Sequence, residues 1–492
     1  MSPAGDDLAF AGAARQAALI REKRLSPVEL VTTYLERIDR FDGRLRAFIT
    51  VCRESALAEA ARAEADAAKG AWRGPLHGIP FAVKDQLDTA GVLTTAGSAL
   101  LRANVPSADS AGVERLKAAG AILLGKLNLT EFALGGTIRF PYGQPRNPWN
   151  PEHDPGGSSS GSGIAAAAAL CSITLGEDTG GSVRSPASYC GAVGLRPTWG
   201  RVSRHGCFPA AWSMDQIGPL TRTVEDAALV LGIIAGFDPR DPLTSRSAVP
   251  DYRGALAGGA KGLRIGVITE LVDSADTQAE VRSAVRDAAR GLAGLGAAVE
   301  DISLPLIPLA GAVFMALCDS EAAGRHKPWL STRPEEYDAG TRRRLVTAGL
   351  IPAVAVHRAA RARALIREQL LAALGKFDLL LAPTSPHPAP AIASHTAPVT
   401  SKEDAAARFF GRRSYTTPAS LAGVPAISVP CGFTAGGLPI GLQLIGRPFA
   451  EAALLRAAHA WEMAAGLAAR RPPLAASEAP SPRAGRGSSG QA

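Results

Sequence analysis

The chain has 492 residues, with 53 Lys+Arg against 45 Asp+Glu and a formal net charge of +8. Hydrophobic residues make up 46% and charged residues 20%, which excludes intrinsic disorder, a state that needs low hydrophobicity and dense charge. The 52 glycines follow no fixed period, which excludes a collagen-like chain, and the length allows a large core or two to three domains. In chain order, apolar periodicity predicts an amphipathic helix over 8–23. A second helix begins at Ser26-Pro27-Val28-Glu29 and runs to about residue 40: Ser26 suits the N-cap, Pro27 the first helical position and Glu29 a capping box. A third, rich in Ala and Glu, covers 54–69. Residues 79–83 read as a short buried strand, and a helix over 112–119 leads through Gly120 into a strand over 121–124. In the centre a Gly/Ser run over 156–163 precedes an alanine-rich helix (164–170) and a strand (171–175), and a second Gly/Ser-rich loop covers 176–184. Strand 263–268, helix 278–295, Gly296 and strand 298–304 repeat the strand–helix–glycine–strand pattern, with further strands over 378–382, 426–429 and 441–445. This is α/β layering around a mixed sheet. Residues 472–492, rich in Pro, Ala, Ser, Gly and Arg, read as a disordered tail.

The positive surplus lies in scattered arginines, densest at Arg342-Arg343-Arg344 and at Arg358, Arg361 and Arg363, all in predicted helices. Aromatic residues are 5% and no nucleic-acid fold signature occurs, so these are read as solvated helix faces and no nucleic-acid partner is expected. Cys52, Cys171, Cys190, Cys207, Cys318 and Cys431 form no C-x-x-C pair and have no histidine at zinc-ligand spacing, which points to a reducing compartment and to no metal. The first ten residues carry Asp6 and Asp7 and lack the basic and apolar regions of a secretory signal. The longest apolar run, 164–175, is short of the roughly 20 residues that span a bilayer. The expectation is a cytoplasmic protein with no membrane association.

Two Gly/Ser loops flanking one helix and one strand carry the chemistry. The first has Gly163-Ile164 where a phosphate-binding loop would have Gly-Lys-Ser/Thr, and it lacks the dinucleotide spacing. A flexible linker is the other ordinary reading, but the flanking apolar segments place the loop inside a core. In the second, Thr179-Gly180-Gly181-Ser182 lets the backbone turn N–H groups inward beside a hydroxyl, which is how an oxyanion hole is built next to a nucleophile. None of the eight histidines sits in a recognisable triad motif. Lys84, at the end of the strand over 79–83, is the candidate base; a lysine must be neutral for that role, and burial favours the neutral amine. A snorkelling lysine at a strand end is the ordinary alternative.

Together these segments resemble the amidase signature family of serine hydrolases. The resemblance rests on Gly78-Ile79-Pro80-Phe81-Ala82-Val83-Lys84-Asp85, on Asn128 to Gly136, on Arg146-Asn147-Pro148-Trp149-Asn150-Pro151, and on Pro155-Gly156-Gly157-Ser158-Ser159. Its most specific piece is Asp178-Thr179-Gly180-Gly181-Ser182-Val183-Arg184-Ser185-Pro186-Ala187, followed by Asp215-Gln216-Ile217-Gly218-Pro219-Leu220 and by 423–430. It spans residue 29 to about 462. It implies a large twisted mixed β-sheet covered by helices on both faces, with a helical segment over 1–70 packed on a catalytic domain over 71–471. It further implies a Ser-cisSer-Lys triad of Ser182, Ser158 and Lys84, and an oxyanion hole from the N–H groups of Thr179, Gly180, Gly181 and Ser182, with Asp178 holding the loop. No cofactor is implied. One departure is Ser160, where the commonest family form has glycine, so the bridging role stays open among Ser158, Ser159 and Ser160. Capping of the following helix falls to Ser160 or Ser162. The substrate pocket is expected from the loop of Phe132, Gly135, Gly136 and Thr137, the loop of Trp212 and Ile217, and the segment 313–330. Arg184 either pairs a substrate carboxylate or braces the loop. The expected activity is hydrolysis of a small amide, anilide or carbamate through an acyl-enzyme, with a homodimer left open. The alternatives are the glutaminase subunit of a tRNA-dependent amidotransferase and an inactive binding protein on the same fold.

Overall fold

In the computed structural model, residues 3–396, 400–401, 410–411 and 413–473 are described, so the expected tail lies outside the described residues except for Pro472 and Pro473. The N-terminal helix expected over 8–23 is two helices, Pro3–Phe10 and Ala13–Arg21, broken at Gly12, whose φ is 80°. The helix Pro27–Leu45 starts where expected: Ser26 Oγ accepts from the N–H of Val28 (3.0 Å) and of Glu29 (3.3 Å), and its hydroxyl donates to Glu64 in the helix Arg53–Ala68. Its inner face, Leu30, Val31, Tyr34, Leu35, Ile38, Phe41 and Leu45, follows helical spacing into the core.

Eleven strands form one sheet among the described residues. They are β1 (Phe48–Val51), β2 (Pro80–Lys84), β3 (Ile122–Leu127), β4 (Ile173–Glu177), β5 (Val193–Arg196), β6 (Ile217–Thr221), β7 (Arg264–Ile268), β8 (Ala298–Ile302), β9 (Leu379–Pro383), β10 (Ala426–Phe433) and β11 (Pro439–Gly446). Their order is β1-β3-β2-β4-β6-β5-β10-β11-β9-β7-β8. The sheet is mixed: β2 runs parallel to β3 and β4, β7 parallel to β8 and β9, and the strands between are antiparallel. Alternate residues of the central strands enter two different apolar clusters, Leu379 and Leu381 on one side and Leu380 and Ala382 on the other. That period of two places helices on both faces. The helices 224–234, 279–294 and 451–465 belong to the first cluster, and the helices 310–332, 353–376 and 413–422 to the second. The stretch Ile307–Thr332 is long and apolar enough by length and composition to cross a membrane, but 56% of its most apolar window is buried inside the protein, where it serves the second cluster.

Three strands were not expected: β1, β5 and β6. The first two have four residues each, too few to show a period, and β6 contains Gly218 and Pro219. Pro219 is tolerated because the β5–β6 ladder spans only Val193↔Thr221 and Gly194↔Leu220 and ends before it.

Candidate active site

The site stands at the carboxyl ends of two parallel neighbours. The β2–β4 register runs Phe81↔Ile173, Ala82↔Thr174 and Val83↔Leu175, so Lys84 and Glu177, the last residues of β2 and β4, come out at the same edge. Both side chains are fully buried. Lys84 Nζ donates to Ser158 Oγ at 2.7 Å, to the Glu177 carbonyl at 3.3 Å, and to Glu177 Oε2 at 3.2 Å.

Ser158 follows a cis peptide bond from Gly157. The turn before it requires glycine at 156: its φ is 82°, and a Cβ there would lie 2.7 Å from Pro186 Cα. The Ser158 carbonyl accepts from Thr130 N–H (3.2 Å), while Ser159 N–H donates to the Ser182 carbonyl (3.2 Å), which joins the two Gly/Ser loops. The serines of this loop have different partners. Ser158 meets the lysine, whereas the Ser159 hydroxyl is bound to the Glu177 backbone, donating to its carbonyl (3.2 Å) and accepting from its N–H (3.4 Å). Neither Ser160 nor Ser162 caps the helix, which is a correction. The helix begins at Ser160 itself, one turn earlier than expected, and the Ser162 hydroxyl donates to the Leu175 carbonyl (3.1 Å).

Asp178 organises the second loop. Its carboxylate accepts from Gly181 N–H (2.8 Å), Val183 N–H (3.2 Å), Arg184 Nε (3.1 Å), Arg184 Nη2 (2.9 Å) and Arg196 Nη1 (3.2 Å). Burial pushes this carboxyl up, but the guanidiniums of Arg184 and Arg196 outweigh burial and hold it well below the usual carboxylate range. Two expectations are corrected here. The N–H of Gly181 is committed to Asp178, so it is turned into the loop rather than towards a substrate oxygen. Arg184 has no donor left for a substrate carboxylate: besides Asp178 it donates to the Thr416 carbonyl (2.7 Å), to Gln443 Oε1 and to Ser420 Oγ (3.0 Å), and it is fully buried. Arg184 braces the loop.

The expected pocket residues separate. Ile217 is fully buried and belongs to the main core; it does not line a pocket. Trp212 is 61% exposed on the outer surface. Phe132 is buried with φ 51°, in an aromatic group with Phe208, His326, Trp329 and Tyr337 at centroid distances of 4.5–5.9 Å. That group borders the site: Phe208 N–H donates to the Gln86 carbonyl (2.9 Å), two residues past Lys84, and Phe314 closes over Gly180 so tightly that a Cβ there would lie 2.4 Å from its ring. Burial, reinforced by Arg325, pushes the His326 imidazole down to about 4, so it is neutral at ordinary pH. Gly135 and Gly136 take positive φ, the Gly135 carbonyl faces Arg344, and Thr137 Oγ1 accepts from Glu131 N–H (2.9 Å).

Sequence reasoning missed two carboxyl groups. Glu177 and Asp215 both lie inside motifs that were read for other residues, and neither carries a spacing signal of its own. Their Oε1 and Oδ1 atoms flank one hydroxyl, Thr179 Oγ1, at 2.6 and 2.9 Å.

A mixed sheet cased in helices, with a buried lysine bonded to a serine at the edge of two Gly/Ser loops, defines the class. The amidase family model matches residues 29–455, and the chain belongs to the amidase (amidase signature) family. It is 43% identical over 481 residues to a glutamyl-tRNA(Gln) amidotransferase subunit of Moorella thermoacetica, covering 93% of this chain and 97% of that one. Among solved structures it resembles the peptide amidase of Stenotrophomonas maltophilia (TM-score 0.81, 34% identity, 94% of this chain and 98% of that one). It also resembles a bacterial aryl acylamidase (TM-score 0.85, 28% identity, 94% and 99%).

Proposed function

We propose that the protein hydrolyses a carboxylic amide C–N bond by attack of Ser182, with Ser158 as relay and Lys84 as base. Ser182 Oγ adds to the amide carbonyl while its proton passes through Ser158 to the neutral amine of Lys84. The N–H groups of Thr179, Gly180 and Ser182 receive the developing oxyanion, with Asp178 holding the loop that presents them. The proton then goes to the leaving nitrogen, and water activated by the same relay releases the acid from Ser182. The observation that carries this reading is the 2.7 Å contact of Lys84 Nζ with Ser158 Oγ, fully buried beside the loop that bears Ser182. Ser182→Ala is expected to lose at least three orders of magnitude of turnover on a cleavable amide or anilide. Turnover at the wild-type rate in that variant overturns the assignment and returns the fold to a binding role.

For the substrate class, a small amide or anilide acted on by the chain alone is favoured. The aromatic wall of Phe132, Phe208 and Trp329 suits an apolar group, and Arg184, the arginine of the nucleophile loop, is used up by the protein. The second reading, a glutaminase that works within an amidotransferase complex, is favoured by the likeness to the amidotransferase subunit. Activity of the purified chain on an anilide panel supports the first. Glutamine hydrolysis that appears only with added partner proteins supports the second. Six free cysteines accord with a reducing, cytoplasmic setting.

A further inference from the structure

A lysine at ordinary pH keeps its proton, and a lysine beside a carboxylate keeps it more firmly. The reading above needs Lys84 neutral, yet its amine lies 3.2 Å from Glu177 Oε2 with both side chains fully buried. The surroundings of Glu177 resolve this conflict. Its other oxygen, Oε1, is 2.6 Å from Thr179 Oγ1, and the same hydroxyl is 2.9 Å from Asp215 Oδ1. A hydroxyl has one proton and donates once. With Thr179 donating to Glu177, the contact with Asp215 is attractive only if Asp215 Oδ1 itself carries a proton and donates it to Thr179. Two backbone donors also reach this carboxyl, Ala210 N–H (2.9 Å) and Ala211 N–H (3.1 Å) on Oδ2 and Ala211 N–H on Oδ1 (2.9 Å); they favour the charged form, and burial together with the charge of Glu177 outweighs them.

Resting on the proposed triad, we propose that Asp215 holds, across Thr179 and Glu177, the proton that Lys84 sheds to become a base. The atoms balance: one proton leaves Nζ for the carboxyl pair, Lys84 becomes a neutral amine, and Asp215 a neutral acid linked by Thr179 to ionised Glu177. The charge balances as well. Fully ionised, Lys84, Arg184 and Arg196 face Glu177, Asp178 and Asp215, three against three, and the transfer removes one of each sign. During turnover the proton from Ser182 makes Lys84 an ammonium, and Glu177 at 3.2 Å stabilises it until the leaving nitrogen takes the proton back. Burial, and then the charge of Glu177, push the Asp215 carboxyl well above the ordinary range, in line with this assignment. Among the described residues, the ionisable groups that interact with the pair include the thiols of Cys207 and Cys318 and the guanidinium of Arg196. Cys207 is pushed up by burial and by both carboxylates, and Cys318 by burial. Burial brings Arg196 down to about 10, so it stays charged. None of these competes for the proton at neutral pH. Glu177 and Asp215 are thus positioning residues that act through Lys84.

The test is the pH profile of kcat/KM. In Asp215→Asn only Glu177 remains, Lys84 keeps its proton, and the acid limb moves up by about one pH unit or more, a ten-fold loss on the limb with recovery towards high pH. In Glu177→Gln the buried amine loses its counter-charge and the limb moves down. A merely structural role lowers the rate at every pH, and limbs that stay at the wild-type position in both variants overturn the proposal. An infrared measurement on the Ser182→Ala protein separates this outcome from failure of the triad, because it needs no turnover. At neutral pH one component of the protonated carboxylic-acid carbonyl band is expected to disappear in the difference spectrum on adding Asp215→Asn, while the signal of Glu462, pushed up to about 8 by burial, stays in place. Should that variant not fold, the difference spectrum on adding Glu177→Gln decides the point, since the band shifts when the charged end of the chain is removed. An unchanged spectrum overturns the proposal.

Discussion

Asp178 shows what one side chain does for the whole loop. It sits with no exposure between the guanidiniums of Arg184 and Arg196, and two of its bonds go to backbone N–H groups of the nucleophile loop. A buried charge of this kind is strongly destabilising to uncover, because the partners left behind stay ionised and desolvated. Asp178→Asn is expected to lose about 3–5 kcal/mol in a denaturant titration at neutral pH. The pH dependence follows from the direction of its shift. The carboxyl binds its proton less readily folded than unfolded, where it titrates near 3.9, so its stabilisation is complete above about pH 4. It is lost as the pH falls further, towards the folded value. Acid unfolding of the wild type is therefore expected to steepen below pH 4 and to flatten there in Asp178→Asn. Equal slopes in the two proteins would contradict the role given to Asp178. The same residue illustrates what sequence leaves open: the motif offered two roles for Arg184, and only its five occupied donors decide for bracing.

At the scale of the element, the helix Ser160–Ala167 is the clearest case. Every residue in it is buried and all but Ile164 are small, and its first turn is the end of the first Gly/Ser run. Gly161 is required by close approach: a Cβ would stand 2.2 Å from the Ala47 carbonyl oxygen and 2.5 Å from Asn128 N, both backbone atoms that hold the ends of β1 and β3. Just past the end of the helix, Arg37 reaches in from Pro27–Leu45 and donates to the carbonyls of Ala168 and Ala169 (2.8 Å each), which ties the N-terminal segment to the base of the site. Gly161→Ala is expected to cost about 3 kcal/mol, the upper range for overpacking, since neither backbone neighbour has room to retreat. A lowered midpoint of chemical denaturation with a wild-type slope is the expected readout, and a wild-type midpoint would show that the contact relaxes freely. This packing explains why the start of the helix was not legible. A Ser/Gly run reads as loop by propensity, and the neighbours that make it a helix are distant in sequence. The apolar runs of β2, β7, β9, β10 and β11 were legible because each is long enough to bury a recognisable stretch. The strands β1, β5 and β6 were not, because pairing partners rather than their own residues define them.

Across the whole molecule, the site uses the carboxyl ends of a parallel pair in an otherwise mixed sheet, the place where open α/β sheets leave a crevice. Of the motif residues, Lys84 and Ser158 meet at that edge, and two of the segments expected to build the pocket, the Phe132 loop and residues 313–330, meet in the aromatic group although they lie some 200 residues apart. One side chain clips the Phe132 loop to the chain just beyond residue 330. Asp338 caps the helix Ala339–Ala348 through the N–H groups of Gly340 (2.8 Å) and Thr341 (3.1 Å), and the same carboxylate accepts from Ile138 N–H (3.1 Å) and Arg139 N–H (2.8 Å). Its own N–H donates to Glu131 Oε2 (3.0 Å), beside Phe132 in the aromatic wall. Removing the carboxylate costs a helix cap, about 1 kcal/mol, and leaves two loop N–H groups without their acceptor, at about 1–3 kcal/mol each where they are shielded from water. None of these bonds touches the sheet, so the loss stays local. Asp338→Ala is expected to raise KM for an anilide about ten-fold or more, with a smaller change in kcat, because the wall loosens while the Lys84–Ser158 contact is kept. Amide hydrogen exchange should quicken over 131–139 and 338–342 and stay at the wild-type rate in β2 and β4. Faster exchange in those strands, or a fall in kcat with KM unchanged, would mean that Asp338 supports the catalytic edge itself rather than the wall of the pocket.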